Sequence, residues 1–441
     1  VAELVWKGKH GRPSGRPESS TRPPWLRADE AYGVGDRPNR LIAGDRLEVL
    51  SSLQAELEGK VALVYVDPPF STGKDYETSL SFPGANGGRV TLRAYRDRQP
   101  LDAWLAWFFD TVVALRQLMA AGGSLYAHLD AHVAHYAKIV LDEVFGREGF
   151  QREIIWRIGW VSGFKSRARS WVRNHDTLLF YSNGRRPTTF HKQYVPYRPG
   201  YRRRDGSPPR AAGYPIDDVW NGNGLDPLDS IQIKSFSVEK VGYPTQKNES
   251  LLARIIRASS APGDLVLDCF GGSGTTAVVS EQLGRKWVVS DVSPLAIHTM
   301  RRRLLRLRDV GPFVVESVHR KNDSPPIARR TGGRLRLRAR CRVRTATIKL
   351  VAFRPKRAGA SPSSSRVEHW SHWVDVWCVE WNHLDSTFHA DTIIRRDAQD
   401  LPLCLEAVRE YGSPGSYVVM VKIFDIFGET TTATVAIAIE E

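Results

Sequence analysis

Residues 61–66 read Val-Ala-Leu-Val-Tyr-Val and run directly into Asp67, Pro68, Pro69 and Phe70. A run that is apolar at every position, rather than at alternate ones, fits a strand covered on both faces. Such strands belong to parallel sheets flanked by helices. Parallel neighbours need long crossovers, so the chain must supply helices between its strands. Two consecutive prolines cannot continue a central strand, so the backbone must turn outward at the strand's carboxyl end, where open α/β sheets place their ligands.

The rest of the chain meets that demand. An amphipathic stretch, Asp45–Leu57, precedes the run; a helical pattern over Leu101–Met119, a strand over Ser124–His128 and a helix to Phe145 follow it. Further on, Ser250–Ser260 is helical, Leu265–Asp268 reads as a strand, Thr275–Leu283 as a helix and Lys286–Asp291 as the next strand, a complete βαβ unit. The alternation predicts an α/β fold with a doubly wound, Rossmann-like sheet. Gln151–Lys240 loses the rhythm and reads as an insertion. From Arg334 to Arg344 arginine alternates with other residues at period two, which as a strand puts every arginine on one face. With strand patterns at Ser416–Asp425 and Thr430–Ile439 and a Ser/Pro-rich loop at Gly359–Ser365, it predicts a small all-β C-terminal domain. The expected boundaries are a flexible basic leader over 1–37, sheet-forming parts at 38–150 and 241–312 around the insertion at 151–240, a linker at 313–333 and the β domain at 334–441.

The formal charge is +15 and the sequence pI about 9.7. A basic balance of this size points to a polyanionic partner, because clustered cations release counterions from phosphates. The charge is concentrated: Gln151–Pro215 holds 14 Lys/Arg against 3 Asp/Glu, interleaved with Trp156, Trp160, Phe164, Trp171 and Tyr201. Within it Arg167, Arg169, Arg173, Arg202, Arg203 and Arg204 are candidates for phosphate or guanine contacts. Each alone reads equally well as a solvated arginine, so the weight rests on the cluster. Cys269, Cys341, Cys378 and Cys404 form no C-x-x-C pair, which argues against a zinc knuckle or disulfide framework. No apolar run approaches the ~18 residues of a membrane span, and the N-terminal stretch is not a signal peptide; the expectation is a cytoplasmic protein.

Two motifs carry chemistry. Asp268 ends a strand and leads through Cys269, Phe270, Gly271, Gly272, Ser273 and Gly274 into a helix beginning at Thr275. A Gly-rich turn lets backbone approach a ligand closely, and the free amides at a helix start favour polar or anionic groups. Asp291, about 20 residues on at the end of the next strand, can accept hydrogen bonds from ribose hydroxyls. Together these mark a nucleoside cofactor site. Asp67-Pro68-Pro69-Phe70 suits a different task. An exocyclic base amine is a poor nucleophile, because its lone pair is delocalised into the ring. A carboxylate and the Pro68 carbonyl can hold its two hydrogens while Phe70 stacks on the base. A lone Asp-Pro-Pro could merely end a strand; here it shares a sheet with a nucleoside site.

In these motifs the chain resembles the beta-group amino DNA methyltransferases, including the modification subunits of type III restriction systems. The resemblance spans Asn39 to Arg308. It rests on Ala43-Gly44-Asp45, Val64 to Asp75, Trp156, Asn174-His175-Asp176, Tyr243 to Lys247 and Pro262 to Thr276, in the order catalytic motif, recognition region, cofactor motif. It implies S-adenosylmethionine as cofactor, held by Asp268, Phe270, Gly271, Gly272, Ser273, Gly274, Thr275 and Asp291, with Thr245, Gln246 and Lys247 closing over the methionine end. It also implies catalysis by Asp67, Pro68, Pro69 and Phe70 on a base flipped out of duplex DNA, at an unstacking cost of ~a few kcal/mol. Similar enzymes dimerise, and any restriction activity would reside in another chain. Asn248 replaces the usual Pro after the lysine, and Phe70 the usual Tyr of the catalytic motif. Asp rather than Ser at position 67 favours adenine N6 over cytosine N4. His175 and Asp176 read as structural residues at a strand start, since methyl transfer needs no strong base. The competing expectations are a cytosine-N4 enzyme, a catalytically silent DNA-binding or assembly subunit, and a methyltransferase acting on RNA or protein glutamine.

Overall fold

The computed structural model describes residues 3–7, 9, 24–81, 89–158, 167, 169–222, 226–234, 237–320, 333–357, 367, 369–396 and 402–441. Trp160, Phe164 and the Gly359–Ser365 loop lie outside the described residues. In chain order the first part contains β1 (Trp25–Tyr32), β2 (Asn39–Ala43), α1 (Arg46–Leu57), β3 (Val61–Val66), β4 (Lys74–Ser81), β5 (Arg89–Asp97), α2 (Leu101–Leu118), β6 (Met119–Leu129) and α3 (Ala134–Phe145). The middle contains β7 (Phe150–Arg157), β8 (His175–Ser182), the short β9 (Tyr194–Pro196), β10 (Gly213–Pro215) and β11 (Val219–Trp220), then α4 (Glu249–Ser259), β12 (Leu265–Asp268), α5 (Thr275–Gln282), β13 (Lys286–Asp291), α6 (Pro294–Leu304) and β14 (Phe313–His319). The last part is all β: β15 (Arg334–Arg342), β16 (Thr345–Arg354), β17 (Val374–Glu380), β18 (Phe388–Ala390), β19 (Thr392–Arg395), β20 (Glu406–Glu410), β21 (Gly415–Asp425) and β22 (Thr430–Ile439).

An eleven-stranded sheet in the order β11-β7-β8-β6-β3-β12-β13-β2-β14-β1-β18 organises the molecule. Its centre, from β6 to β14, is parallel, whereas β8 runs antiparallel to both β6 and β7, and β1 antiparallel to β14. The sheet is thus mixed. The continuous apolar run of β3 is explained by its two covers: Val61, Val64 and Val66 face the layer of α1, α2 and α3, while Leu63 and Tyr65 face α4. Helices on both faces make the fold a doubly wound α/β sheet, as the sequence predicts.

Two boundaries differ from expectation. Within the anticipated leader, Trp25–Tyr32 is a strand, and Trp6 is buried beside the Phe109 ring. Within the anticipated linker, Phe313–His319 is a strand between β2 and β1 with Phe313 and Val315 in the core. β1 and β14 zip together over nearly their whole length. Neither segment has a run of apolar residues long enough to stand out alone.

The C-terminal region packs the three-stranded sheet β15-β16-β20 against the four-stranded sheet β19-β17-β21-β22 around Trp377, Trp381, Val419 and Ile423. It docks on α6 and β1 through buried charge. Glu30, 4% exposed, forms an ion pair with Arg301, whose Nε lies 2.8 Å away, and accepts hydrogen bonds from Arg301 Nη2 at 3.4 Å, Lys422 Nζ at 3.3 Å and Tyr32 Oη at 2.9 Å. Burial alone would push the Glu30 carboxyl up, but Arg301 and Lys422 hold it below the usual glutamate range. Asp375 pairs with His298 at 2.9 Å and Arg302 at 3.2 Å. No helix among the described residues is long and apolar enough to cross a membrane.

Candidate active site

β3 and β12 are hydrogen-bonded neighbours, so the two sequence motifs, some 200 residues apart, emerge side by side at the same edge of the sheet. After β12 the turn is built around Asp268, whose Oδ1 accepts from the Phe270 amide at 2.8 Å and Oδ2 from Thr276 Oγ1 at 2.6 Å. Gly274 caps α5 with φ +81°, and Met300 of α6 lies where a Cβ on Gly271 or Gly274 would stand, at 2.7 and 2.6 Å. These two glycines therefore let the turn settle onto α6. Asp291, at the end of β13, accepts from the Gly272 amide at 2.9 Å and the Ser293 amide at 2.8 Å. Burial pushes its carboxyl up.

Burial also raises the Asp268 carboxyl to about 7, from 3.8. The sign follows: an acid whose pKa rises on folding contributes stability that is complete below its unfolded value and lost as pH climbs through about 7. In Asp268→Asn the acid is replaced by a neutral amide of the same shape. The melting temperature of this variant, measured without cofactor, should gain on wild type steadily between pH 4 and pH 8; a constant difference across that range would show that Asp268 does not titrate there.

On the opposite wall, Asp67 leaves β3. Its Oδ2 is 2.6 Å from Lys247 Nζ, while its Oδ1 is buried and has no hydrogen-bond partner. The Pro69 carbonyl accepts from Trp104 Nε1 at 2.6 Å. Asp97, at the end of β5, anchors the following backbone: it accepts from the Ser71 amide at 2.6 Å, the Thr72 amide at 3.0 Å, the Phe70 amide at 3.3 Å and Thr72 Oγ1 at 2.7 Å. Asp97→Ala should lower stability by about 2–3 kcal/mol, because buried amides lose a charged acceptor. It should also lower kcat with little change in cofactor affinity, seen by thermal melts and steady-state kinetics; an unchanged kcat would rule out this anchoring role.

The Phe70 ring lies over His128 with centroids 6.4 Å apart. His128 is enclosed: Nδ1 meets Tyr65 Oη at 2.9 Å, Nε2 meets Asp176 Oδ2 at 3.3 Å, and Trp156 packs edge-on at 5.6 Å. Burial, reinforced by Lys247, lowers its pKa to about 3, so the ring is neutral at physiological pH. Arg173 bonds Asp176 from outside.

Between the walls is a cavity of about 460 Å³. Asp67, Pro68, Pro69 and Phe70 line it from β3; Asp268, Phe270, Gly271, Gly272, Ser273, Thr275 and Asp291 from the other wall; Thr245 and Lys247 cover it. Two candidates do not line it. Gly274 packs on Met300, and Gln246 braces its own loop, donating to the Glu239 carbonyl at 2.6 Å and accepting from the Val241 amide at 2.9 Å. Sequence reasoning missed Asp97, Tyr95, Arg46 and Trp107, and it gave no role to Tyr243, which opens the Tyr243–Lys247 motif. Tyr95, Arg46, Trp107 and Tyr243 all line the cavity, with the Arg46 guanidinium 4.1 Å over Trp107 and Tyr95 Oη 3.2 Å from Thr245 Oγ1. Tyr95 and Asp97 belong to the β4–β5 hairpin, whose polar, charge-rich strands gave no apolar signal. None of the six insert arginines lines the cavity: Arg167, Arg169, Arg202 and Arg204 are exposed, Arg203 lies 3.8 Å from Asp205, and Arg173 is tied to Asp176. Among the described residues no cluster of His, Cys, Asp and Glu is arranged to hold a metal ion.

Residues 61–301, which hold both motifs and the insertion between them, match the family model for N6/N4 DNA methylases. The chain belongs to that family. It is an S-adenosylmethionine-dependent DNA methyltransferase of the class that modifies adenine N6 or cytosine N4. Membership is shown at that level; likeness to type III modification subunits is not part of it. Among relatives of this methyltransferase, the type II methyltransferase M.EcaI of Enterobacter cloacae is 27% identical over 349 residues, spanning 65% of this chain and 74% of that protein. The DNA adenine methyltransferase YhdJ of Escherichia coli (strain K12) is 26% identical over 284 residues, spanning 62% and 85%. A solved structure, the M1.HpyAVI–SAM complex, aligns with 61% of this chain and 99% of its own at 18% identity and a TM-score of 0.41.

The residues present fit the cofactor. Each carboxylate has room for about four hydrogen bonds. Asp291 spends one per oxygen on backbone amides, which leaves acceptor capacity for ribose hydroxyls. Phe270 and Trp107, 5.2 Å apart, supply flat apolar surface for a purine.

Proposed function

We propose that this methyltransferase acts site-specifically on N6 of adenine in duplex DNA, with the target base flipped out of the helix. The observation that carries the reading is Asp67: one carboxylate oxygen is held by Lys247, and the other, Oδ1, is buried at the cavity wall with no partner. A buried acceptor left unpaired costs about 1–3 kcal/mol, and a base amine is the donor that would satisfy it. Asp67 in place of Ser supports adenine over cytosine.

The cofactor, when bound, supplies an electrophilic methyl group. The chain's own residues then do the rest. Asp67 Oδ1 and the Pro68 carbonyl each accept one hydrogen of the amine, which turns the nitrogen lone pair out of the ring plane. Phe70 stacks on the base, and Lys247 fixes the Asp67 carboxylate through its other oxygen, Oδ2. The proton that the nitrogen would shed on receiving the methyl group would pass along its hydrogen bond to Asp67 Oδ1. His128 takes no part as a base, since burial makes its ring a weak one and both ring nitrogens are engaged; it holds Tyr65 and Asp176 in place. Arg167, Arg169, Arg202, Arg203 and Arg204 are offered to phosphates, and Arg173 positions Asp176.

The test is modified-base sequencing of plasmid DNA from methylation-deficient cells expressing the chain, beside Asp67→Ala. N6-methyladenine at one short sequence, absent in the variant, is the expected result. N4-methylcytosine would keep the mechanism and overturn the base. Folded protein that leaves no mark and binds no S-adenosylmethionine would overturn the reading.

A further inference from the structure

We propose that the arginine face of β15 is a second DNA contact, a sequence-independent track for the phosphates of duplex flanking the methylated base. The proposal rests on the reading of the chain as an enzyme acting on duplex DNA. Residues 334–357 hold ten Lys/Arg and no Asp or Glu. The strand alternates as its sequence requires: Leu335, Leu337 and Ala339 pack against the sandwich core, while Arg334, Arg336, Arg338, Arg340 and Arg342 are exposed. The register extends the patch onto β16, setting Arg354 opposite Arg334 and Lys349 opposite Arg338. Lys349 is engaged by Glu406 at 2.6 Å, and Arg340 is near enough to help lower that carboxyl's pKa. Arg334, Arg336, Arg338 and Arg342 make no ion pair among the described residues.

Geometry favours a phosphate chain over a compact acidic partner. The arginines recur every second residue along one line, about 6.8 Å apart, and the line runs about 27 Å. DNA rises about 3.4 Å per base pair, so the line spans roughly eight base pairs along the helix axis. Among the described residues β15 is also the edge strand of its sheet, paired only with β16. The track is tied to the active site: Leu92 of the β4–β5 hairpin packs against the C-terminal core, and Tyr95, three residues along the same strand, lines the cofactor cavity. Edge arginines also deter strand pairing between molecules, and that plainer role predicts a different outcome.

The experiment uses the whole chain and the variant Arg336→Gln/Arg338→Gln/Arg342→Gln, with binding to a duplex of about 40 base pairs followed across a salt series by fluorescence anisotropy. Neutralising each bound phosphate contact removes about 0.9 from the slope of log K against log salt, so the variant's slope should be shallower by roughly 2–3. The corresponding Lys variant should keep the wild-type slope, and S-adenosylmethionine binding should be unchanged in both. An unchanged slope beside wild-type methylation would overturn the track while leaving the active-site reading intact. Aggregation of the Gln variant with an unchanged slope would assign the arginines to edge protection instead. Wild-type protein that binds no duplex at any salt would overturn both readings.

Discussion

Asp67→Ala should slow methyl transfer in a single turnover by about 10²–10³-fold or more, the usual cost of removing one oriented group that acts on the reacting atom. Cofactor affinity should stay within a few-fold, because the Gly-rich turn and Asp291 hold their geometry without Asp67. Asp67→Asn is the sharper probe. The carboxylate serves two donors at once, Lys247 at 2.6 Å on one oxygen and the amine on the unpartnered Oδ1. Asparagine has a single acceptor oxygen, and Lys247 will claim it, so an NH₂ group then faces the amine. The isosteric variant should therefore be nearly as slow as the alanine one. An Asn variant retaining more than about a tenth of the wild-type rate would show that Oδ1 is not the acceptor.

Glu30→Ala should cost about 3–5 kcal/mol of stability, because it leaves Arg301 and Lys422 as buried cations without their anion. Arg301 is 5% exposed and Lys422 7%, so water cannot take over the role. A fall in Tm on the order of 10 °C is expected. The loss should appear first as protease sensitivity of the C-terminal region, which Glu30 joins to α6. The sign of the pH dependence is fixed by the lowered pKa: the pair's contribution is complete above the unfolded value, 4.5, and is lost as pH falls through the lower folded one. The wild type should thus lose its advantage over Glu30→Ala in acid. Equal melting temperatures at neutral pH would show that the network contributes nothing to docking.

The parts of the fold legible in the sequence were those whose burial is local. β3, β12 and β13 are covered on both faces by helices, α1 lying next to β3 in the chain and α4 and α5 next to β12, so their apolar runs and the motifs at their ends stand out. β1 and β14 are paired with each other across nearly 290 residues, as the Ala28–Glu316 pairing illustrates, and neither pattern declares its partner. The β4–β5 hairpin escaped notice for a related reason. Its strands are rich in charged and polar residues, and its function lies in single positions: Asp97 gathering three amides and Tyr95 closing the cavity. Arg173 shows the reverse limit. Its place in a basic cluster suggested a phosphate, whereas its nearest charge is Asp176, three residues along the chain. Composition describes a cluster; only geometry assigns its members.

The pairing of β3 with β12 has a consequence for synthesis. Val64 must wait for Leu267 before its edge is closed, and at ~5–20 residues per second the ribosome needs about 10–40 s to deliver the intervening stretch. Through that interval a strand apolar on both faces has one unpaired side. Until β12 arrives, the open N–H and C=O groups of that side are a template for pairing with another chain. Yield should respond to growth temperature and chaperone supply more than to any substitution on the finished surface.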